Sequence, residues 1–147
     1  MGCDTMQRMS TDILVTTIQK ALQDSAPRFG IMLAVLFGSR ATGRVHAQSD
    51  YDIAVYAEHP LSPAEIAACA YELSVSLKQK DIEVVDIRAA SPSLLHAISR
   101  DGVVLLEQDA HAFAQFQMYA YKRFVEAKPL REMRLASLQT FAAPLSV

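Results

Sequence analysis

Four residues of this sequence have types and spacing suited to binding a divalent cation together with phosphate. Gly38 and Ser39 directly follow an apolar segment, ten residues intervene, and Asp50 and Asp52 open the next β-rich segment. Residues i and i+2 of a strand point to the same side, with α-carbons about 6.5–7 Å apart. The two aspartates would therefore present both carboxylates to one volume. Such a pair suits Mg²⁺, which completes its coordination shell with water and substrate phosphates.

The Gly38 and Ser39 pair is suited to hold those phosphates. Glycine lets the backbone turn and approach a ligand closely, while Ser39 adds a hydroxyl and backbone N–H groups. Each feature alone has an ordinary explanation, because Gly-Ser after a strand is usually a turn and paired aspartates usually mark a solvent-facing side. The four positions in combination, each next to a predicted strand, favour a site for Mg²⁺ and an NTP.

The elements that must position these residues follow the order α-β-β-α-β-α-β. A first helix is predicted from the capping candidates Ser10, Thr11 and Asp12 to about Pro27. Ser62 with Glu65 forms a capping box that begins a second helix. The remaining predictions are strands at 31–37, 51–56, 82–87 and 103–106, a short helix at 91–98, and helices at 112–128 and 130–141. The strand at 31–37 is continuously apolar, which is typical of a strand buried on both faces.

This order predicts a single α/β domain over residues 1–147, with a mixed sheet flanked by helices. The core would span about 10–107, and a C-terminal helical arm about 110–141. Basic residues beside apolar ones make this arm a candidate docking element for a partner protein, and a solvated amphipathic helix is the equally ordinary alternative.

Composition narrows the functional classes. The formal net charge is −2, so no global basic field favours nucleic acid as the partner. Cys3 and Cys69 have no metal-like or disulfide-like spacing and are interpreted as reduced thiols. The longest apolar run, 31–37, is far shorter than the roughly 20 residues needed to cross a bilayer, and residues 1–10 lack the apolar region typical of a secretory signal. A cytoplasmic protein without a membrane span is expected.

The motif region resembles a known family. The segment FGSRATGRVHAQSDYDIAVY is similar to the GS-x10-DxD signature of the DNA polymerase β nucleotidyltransferase superfamily, in particular its minimal nucleotidyltransferase (MNT) branch. The segment DIEVVDIRAASPSLLHAISRDGVVLLE resembles the second conserved block of that branch. The resemblance extends over roughly residues 31–107.

The resemblance implies a polymerase β-like palm fold and a Mg²⁺-dependent transfer of AMP from ATP. Proteins of this branch are commonly the antitoxin partners of HEPN toxins and modify a tyrosine of the toxin. The resemblance therefore implies a protein adenylyltransferase in a hetero-oligomer with such a toxin. Two alternatives stay open: an antitoxin that binds nucleotide but acts by occlusion alone, and an aminoglycoside-type enzyme with a small-molecule acceptor.

The superfamily uses a third carboxylate on a neighbouring strand, and the candidates are Glu83 and Asp86. Three positions apart on one strand, they face opposite sides, so only one can join Asp50 and Asp52. The residue order of the family block favours Glu83, whereas the commoner use of aspartate keeps Asp86 open. By default, Asp86 would be solvent-facing or salt-bridged.

Arg40 is the remaining candidate, next to the turn where triphosphate charge would collect. It is predicted to bind phosphate, with a solvated loop arginine as the alternative of similar weight. The four histidines show no ligand spacing and are assigned no metal role.

Overall fold

The computed structural model describes residues 2–42 and 50–142, with side chains from residue 12 onward. The strands are β1 (Ile31–Phe37), β2 (Tyr51–Ala57), β3 (Ile82–Asp86) and β4 (Val103–Glu107). The helices are α1 (Gly2–Phe29), α2 (Ser39–Thr42), α3 (Pro63–Leu77), α4 (Pro92–Asp101), α5 (Ala112–Glu126) and α6 (Lys128–Ala142), and a 3-10 turn spans Ile87–Ala89. The predicted order α-β-β-α-β-α-β is confirmed, with α2 as an additional single turn.

The four strands form one mixed sheet in the order β3-β2-β1-β4. β1 pairs antiparallel with both β2 and β4, and β2 pairs parallel with β3. β1 is therefore a central strand, which explains its continuously apolar sequence: four of its consecutive residues, 33–36, are buried.

Helices cover both faces of the sheet. On one side, the α1/α3 face, Ile18 and Leu22 of α1 and Leu73 of α3 pack with apolar residues of the strands. On the other side, the α4/α5 face, Leu95 and Ile98 of α4 pack with Phe116 and Ala120 of α5 against the sheet. Because successive strand residues alternate between faces, both faces of the sheet contribute to the core. The α/β prediction of a mixed sheet flanked by helices is confirmed.

The first helix is longer than its capping signals predicted. It begins at Gly2 and passes through Pro27 to Phe29, so the predicted start at residues 10–12 is wrong. Ser10, Thr11 and Asp12 lie inside the helix, and the four residues directly before them, Met-Gln-Arg-Met at 6–9, are good helix formers. The end is set by Gly30 at φ +66°, a left-handed conformation that glycine adopts readily.

The second predicted helix, α3, begins as its sequence indicates. The Ser62 hydroxyl accepts the Glu65 N–H at 3.2 Å, and the Glu65 carboxylate accepts the Ser62 N–H at 2.7 Å. This reciprocal capping box satisfies two backbone donors that no helical carbonyl could reach. It fixes the start of α3, one of the two helices that cover the α1/α3 face.

The C-terminal arm follows the predicted helical pattern. In α5, Phe116 and Ala120 are buried, whereas α6 contains no buried residue and exposes Leu130, Met133, Leu135, Leu138 and Phe141.

In the part of the chain that the structure describes, no helix is both long enough and apolar enough to cross a membrane.

Candidate nucleotidyl-transfer site

The glycine of the turn lies directly against Asp52, the second aspartate of the motif. Phe37, the last residue of β1, pairs with Asp52 of β2, so Gly38 follows at the same end of the sheet. Gly38 has φ +75°, and a Cβ at this position would collide with Oδ2 of Asp52. Glycine is therefore required here twice, for the left-handed backbone and for the space that the carboxylate fills.

The parallel pairing of β2 and β3 decides which acidic residue of β3 joins this cluster. Asp52 and Glu83 are register partners on adjacent strands. Asp52 is half-buried, whereas Asp50 and Glu83 are exposed. Tyr51 and Ile53 of β2 are buried on the α1/α3 face, so Asp52, which lies between them, points to the α4/α5 face. Glu83 points to the same face, because it is the register partner of Asp52.

The electrostatics of Asp52 reflect this crowding. Burial first, then the negative charges of Glu83 and Asp50 and a hydrogen bond with Glu83, raise the pKa of Asp52 above its ordinary value of 3.8. A site that raises a carboxylate pKa by like charges is one in which a cation would be stabilised. The negative charges of Glu83 and Asp50 therefore both act on the Asp52 carboxylate.

Asp86 is neither solvent-facing nor salt-bridged, so that default expectation is wrong. It is only 5% exposed, and its carboxylate accepts the Leu61 N–H at 3.2 Å and the Arg88 N–H at 2.9 Å. These bonds cap the 3-10 turn after β3 and tie it to the segment before α3. Asp86 therefore lies on the sheet face opposite Glu83 and is held by backbone donors.

The remaining predicted residues lie on α2. Ser39 begins this single turn, whose Ala41 and Thr42 N–H groups both donate to the Gly38 carbonyl at 3.2 Å. The Arg40 guanidinium lies over the Tyr51 ring, with its carbon 4.0 Å from the ring centroid. Tyr51 is not among the predicted site residues, although its position between the two aspartates indicates that it points to the opposite face.

The donor set fits a hard divalent cation. Carboxylate oxygens are the ligands that Mg²⁺ prefers, and a small number of them leaves coordination positions for substrate phosphates. Because Asp52 contacts Gly38, the carboxylates lie next to the predicted phosphate turn. No group of three or more His, Cys, Asp or Glu side chains already arranged to hold a metal occurs within residues 12–42 and 50–142.

A carboxylate pair at a strand start, a third acid on the neighbouring parallel strand and an adjoining Gly-Ser turn are the features of a nucleotidyltransferase site. In agreement, the family model described as polymerase beta, nucleotidyltransferase matches residues 16–111. The chain belongs to this family, whose chemistry implies a divalent metal.

Two curated relatives carry the name protein adenylyltransferase MntA. The one from Aphanizomenon flos-aquae is 31% identical over 121 residues, covering 76% of this chain and 80% of the relative. The one from Shewanella oneidensis is 33% identical over 111 residues, covering 74% of this chain and 75% of the relative.

A solved structure has the same fold. One chain of a crystal structure of a toxin–antitoxin with AMP-PNP superposes with a TM-score of 0.75 and 27% sequence identity. The superposition covers 85% of this chain and 98% of the other. The fold is therefore that of the polymerase β nucleotidyltransferases, with the mixed sheet and flanking helices described above.

Proposed function

We propose that this protein is a Mg²⁺-dependent protein adenylyltransferase that transfers AMP from ATP to a tyrosine of a cognate HEPN toxin. It thereby acts as the toxin's antitoxin, in a hetero-oligomer with the toxin, in the cytoplasm. The names of the two relatives and the AMP-PNP bound in the similar structure support the choice of ATP as donor. The MNT-like motif supports the choice of acceptor.

One observation carries the proposal: the Asp52 carboxylate touches Gly38 on one side and adjoins Glu83 on the other. The phosphate turn and the acidic residues, up to 45 positions apart in the chain, thus meet at one end of the sheet. A triphosphate held at Gly38 and Ser39 would lie within the field of the three carboxylates.

Each residue then has a definite task. The turn binds the β- and γ-phosphates through its backbone N–H groups and the Ser39 hydroxyl. Asp50, Asp52 and Glu83 would hold the metal, which when bound neutralises charge on the triphosphate and on the leaving pyrophosphate. Glu83, the exposed member of the strand pair, favours loss of the proton from the attacking hydroxyl.

The reaction forms one bond and breaks one. The tyrosine oxygen attacks the α-phosphorus of ATP, the bond from that phosphorus to the bridging oxygen breaks, and pyrophosphate leaves. The tyrosine proton is lost to a carboxylate or to solvent. Catalysis is mainly positioning and electrostatic stabilisation, since no residue of the chain needs to become covalently attached.

The test is label transfer. The purified protein and the toxin from a neighbouring HEPN-type reading frame are incubated with α-labelled ATP, with and without Mg²⁺. Label should appear on a toxin tyrosine only with Mg²⁺. Nucleotide binding and toxin neutralisation without transfer would instead indicate an antitoxin acting by occlusion. Label on an added aminoglycoside but not on the toxin would indicate a small-molecule enzyme.

The turn yields a further prediction. Gly38→Ala should weaken binding of AMP-PNP with Mg²⁺ strongly, about 30-fold or more, because the new methyl displaces the Asp52 carboxylate and strains the backbone. Ser39→Ala should weaken it only about threefold to tenfold, through loss of one hydroxyl contact. Isothermal titration calorimetry measures both.

Neither Gly30 nor Gly102 is a suitable control for Gly38→Ala. A Cβ at Gly102 would clash with its neighbours, and Gly30 has room for a Cβ but adopts a left-handed φ that alanine disfavours. Ser93→Ala, which alters an exposed serine of α4, is the matched control for Ser39→Ala and should bind AMP-PNP like the wild type. Equal, small effects of Gly38→Ala and Ser39→Ala would mean that the turn is merely structural.

The raised pKa of Asp52 predicts how cation binding depends on pH. A proton competes with the cation for Asp52, so Mn²⁺ affinity should increase as pH rises and Asp52 loses its proton. The midpoint of this increase should lie at the raised pKa of Asp52, above the ordinary value of 3.8. In Glu83→Gln, the charge and hydrogen bond of Glu83 are lost, so the midpoint should move to lower pH. Titration of Mn²⁺ by electron paramagnetic resonance at several pH values measures both midpoints. A midpoint unchanged by Glu83→Gln would contradict the coupling between the two carboxylates.

A further inference from the structure

Tyr51, the residue between the two motif aspartates, is almost fully buried. It is 4% exposed and belongs to the core cluster of the α1/α3 face. Ala41 of α2 packs against the same cluster, and the Arg40 guanidinium covers the Tyr51 ring at 4.0 Å. Two consecutive residues of α2 therefore contact the face of the sheet that does not carry the carboxylates.

This placement separates Arg40 from the carboxylate side of the site. Asp52 and Glu83 belong to the α4/α5 face, and Tyr51 belongs to the other. Successive residues of a helix are rotated by about 100°, so Ser39 and Arg40 point in different directions from α2. The Arg40 guanidinium is engaged by an aromatic ring, an arrangement in which arginine gains electrostatic attraction and contact area.

The turn that carries Ser39 needs such an attachment. α2 has four residues and none of them is buried. A single helical turn is marginal alone, since nucleating it fixes several dihedral angles for very few hydrogen bonds. Its position relative to β2 therefore depends on contacts made by its side chains. The Arg40 and Tyr51 pair joins α2 directly to the first residue of β2.

We infer that Arg40 and Tyr51 are a positioning pair that holds the Gly38 and Ser39 turn in register with Asp50 and Asp52. Arg40 then acts on phosphate binding through the placement of Ser39 rather than as a phosphate ligand itself. The inference deepens the proposed function and rests on it, because it concerns the same nucleotide site. Tyr51 takes part through its ring face, so its hydroxyl is dispensable.

The test compares AMP-PNP binding, with Mg²⁺, across variants of both residues. Tyr51→Leu and Arg40→Gln should each raise the Kd about fivefold to tenfold, the loss expected for one cation–π contact. The double variant should bind no more weakly than the weaker single variant, since both remove the same contact. Tyr51→Phe, which keeps the ring, should bind like the wild type. Tyr71→Leu, at a 70% exposed tyrosine of α3, is the matched control.

A phosphate ligand would behave differently. If Arg40 contacted phosphate directly, Arg40→Gln would weaken binding while Tyr51→Leu, with Arg40 intact, would leave the Kd unchanged. That result would overturn the inference. Additive losses in the double variant would overturn it as well.

Hydrogen exchange of the unliganded protein provides a readout that needs no nucleotide. Arg40→Gln and Tyr51→Leu should both speed exchange of the Ala41 and Thr42 amides, while the amides of α3 stay protected. If Tyr51→Leu fails to fold, Tyr51→Met, which keeps an apolar side chain but has no ring face, takes its place beside Arg40→Gln. Unchanged exchange in Arg40→Gln would contradict the pair. A wild type that fails to bind AMP-PNP would instead contradict the proposed function and leave the exchange test intact.

Discussion

Asp52→Asn is expected to lower the rate of AMP transfer about 10³-fold or more while raising the thermal stability of the unliganded protein at neutral pH. The loss of rate follows because an amide cannot replace a charged carboxylate in neutralising a bound cation. The gain in stability follows from the raised pKa of Asp52, since the folded chain holds this negative charge at a cost. Opposite changes in activity and stability are typical of functional sites.

The direction of the stability change can be derived from proton linkage. A carboxyl whose pKa is raised on folding binds more protons in the folded than in the unfolded state, so wild-type stability falls as pH rises through the window from 3.8 to the raised value. The melting temperature of Asp52→Asn should therefore exceed that of the wild type above this window. The difference should shrink as pH is lowered through this window and level off below 3.8, where Asp52 is protonated in both states.

The measurements are label transfer to the toxin and thermal melting followed by circular dichroism at several pH values. Asp24→Asn, which alters an exposed carboxylate of α1, is the matched control and should change neither. Near-wild-type transfer by Asp52→Asn would remove Asp52 from the catalytic site. A lower melting temperature at neutral pH would show that the carboxylate is stabilised by its neighbours rather than repelled by them.

Glu83→Gln and Asp86→Asn should separate activity from stability. Glu83→Gln is expected to lower transfer about 10²-fold or more without lowering the melting temperature, because Glu83 is exposed and its negative charge repels that of Asp52. Asp86→Asn is expected to retain most of the transfer rate of the folded protein but to cost about 1–3 kcal/mol in the free energy of unfolding. The reason is that Asp86 accepts two backbone N–H groups, and an amide has only one oxygen to offer them.

Single-turnover transfer assays and urea denaturation measure the two effects independently. Glu58→Gln, which alters an exposed glutamate just after β2, is the control for Glu83→Gln and should leave transfer and stability unchanged. Loss of transfer in a fully folded Asp86→Asn protein, with transfer intact in Glu83→Gln, would make Asp86 the third carboxylate of the site.

The local elements and the motif could be predicted from the order of the residues alone. The spacing of Gly38, Ser39, Asp50 and Asp52 is a local property, because strand alternation alone directs the two aspartates to one side. The start of α3 was equally predictable, since its capping box is made by residues three positions apart. The length of α1 was less so: Ser, Thr and Asp cap helices often but also occur inside them, as residues 10–12 do.

Which of Glu83 and Asp86 lies beside Asp52 could not be predicted without the folded sheet. The alternation of side chains along a strand places Glu83 and Asp86 on opposite sides of β3. Which of them lies beside Asp52 depends on how β3 pairs with β2, and that register is set by contacts across the sheet. The direction of Arg40 is also a tertiary property, because Tyr51 is 11 positions away and meets it only when α2 folds back on β2. A sequence pattern specifies the side of an element to which a residue points, whereas the neighbours on that side come from distant parts of the chain.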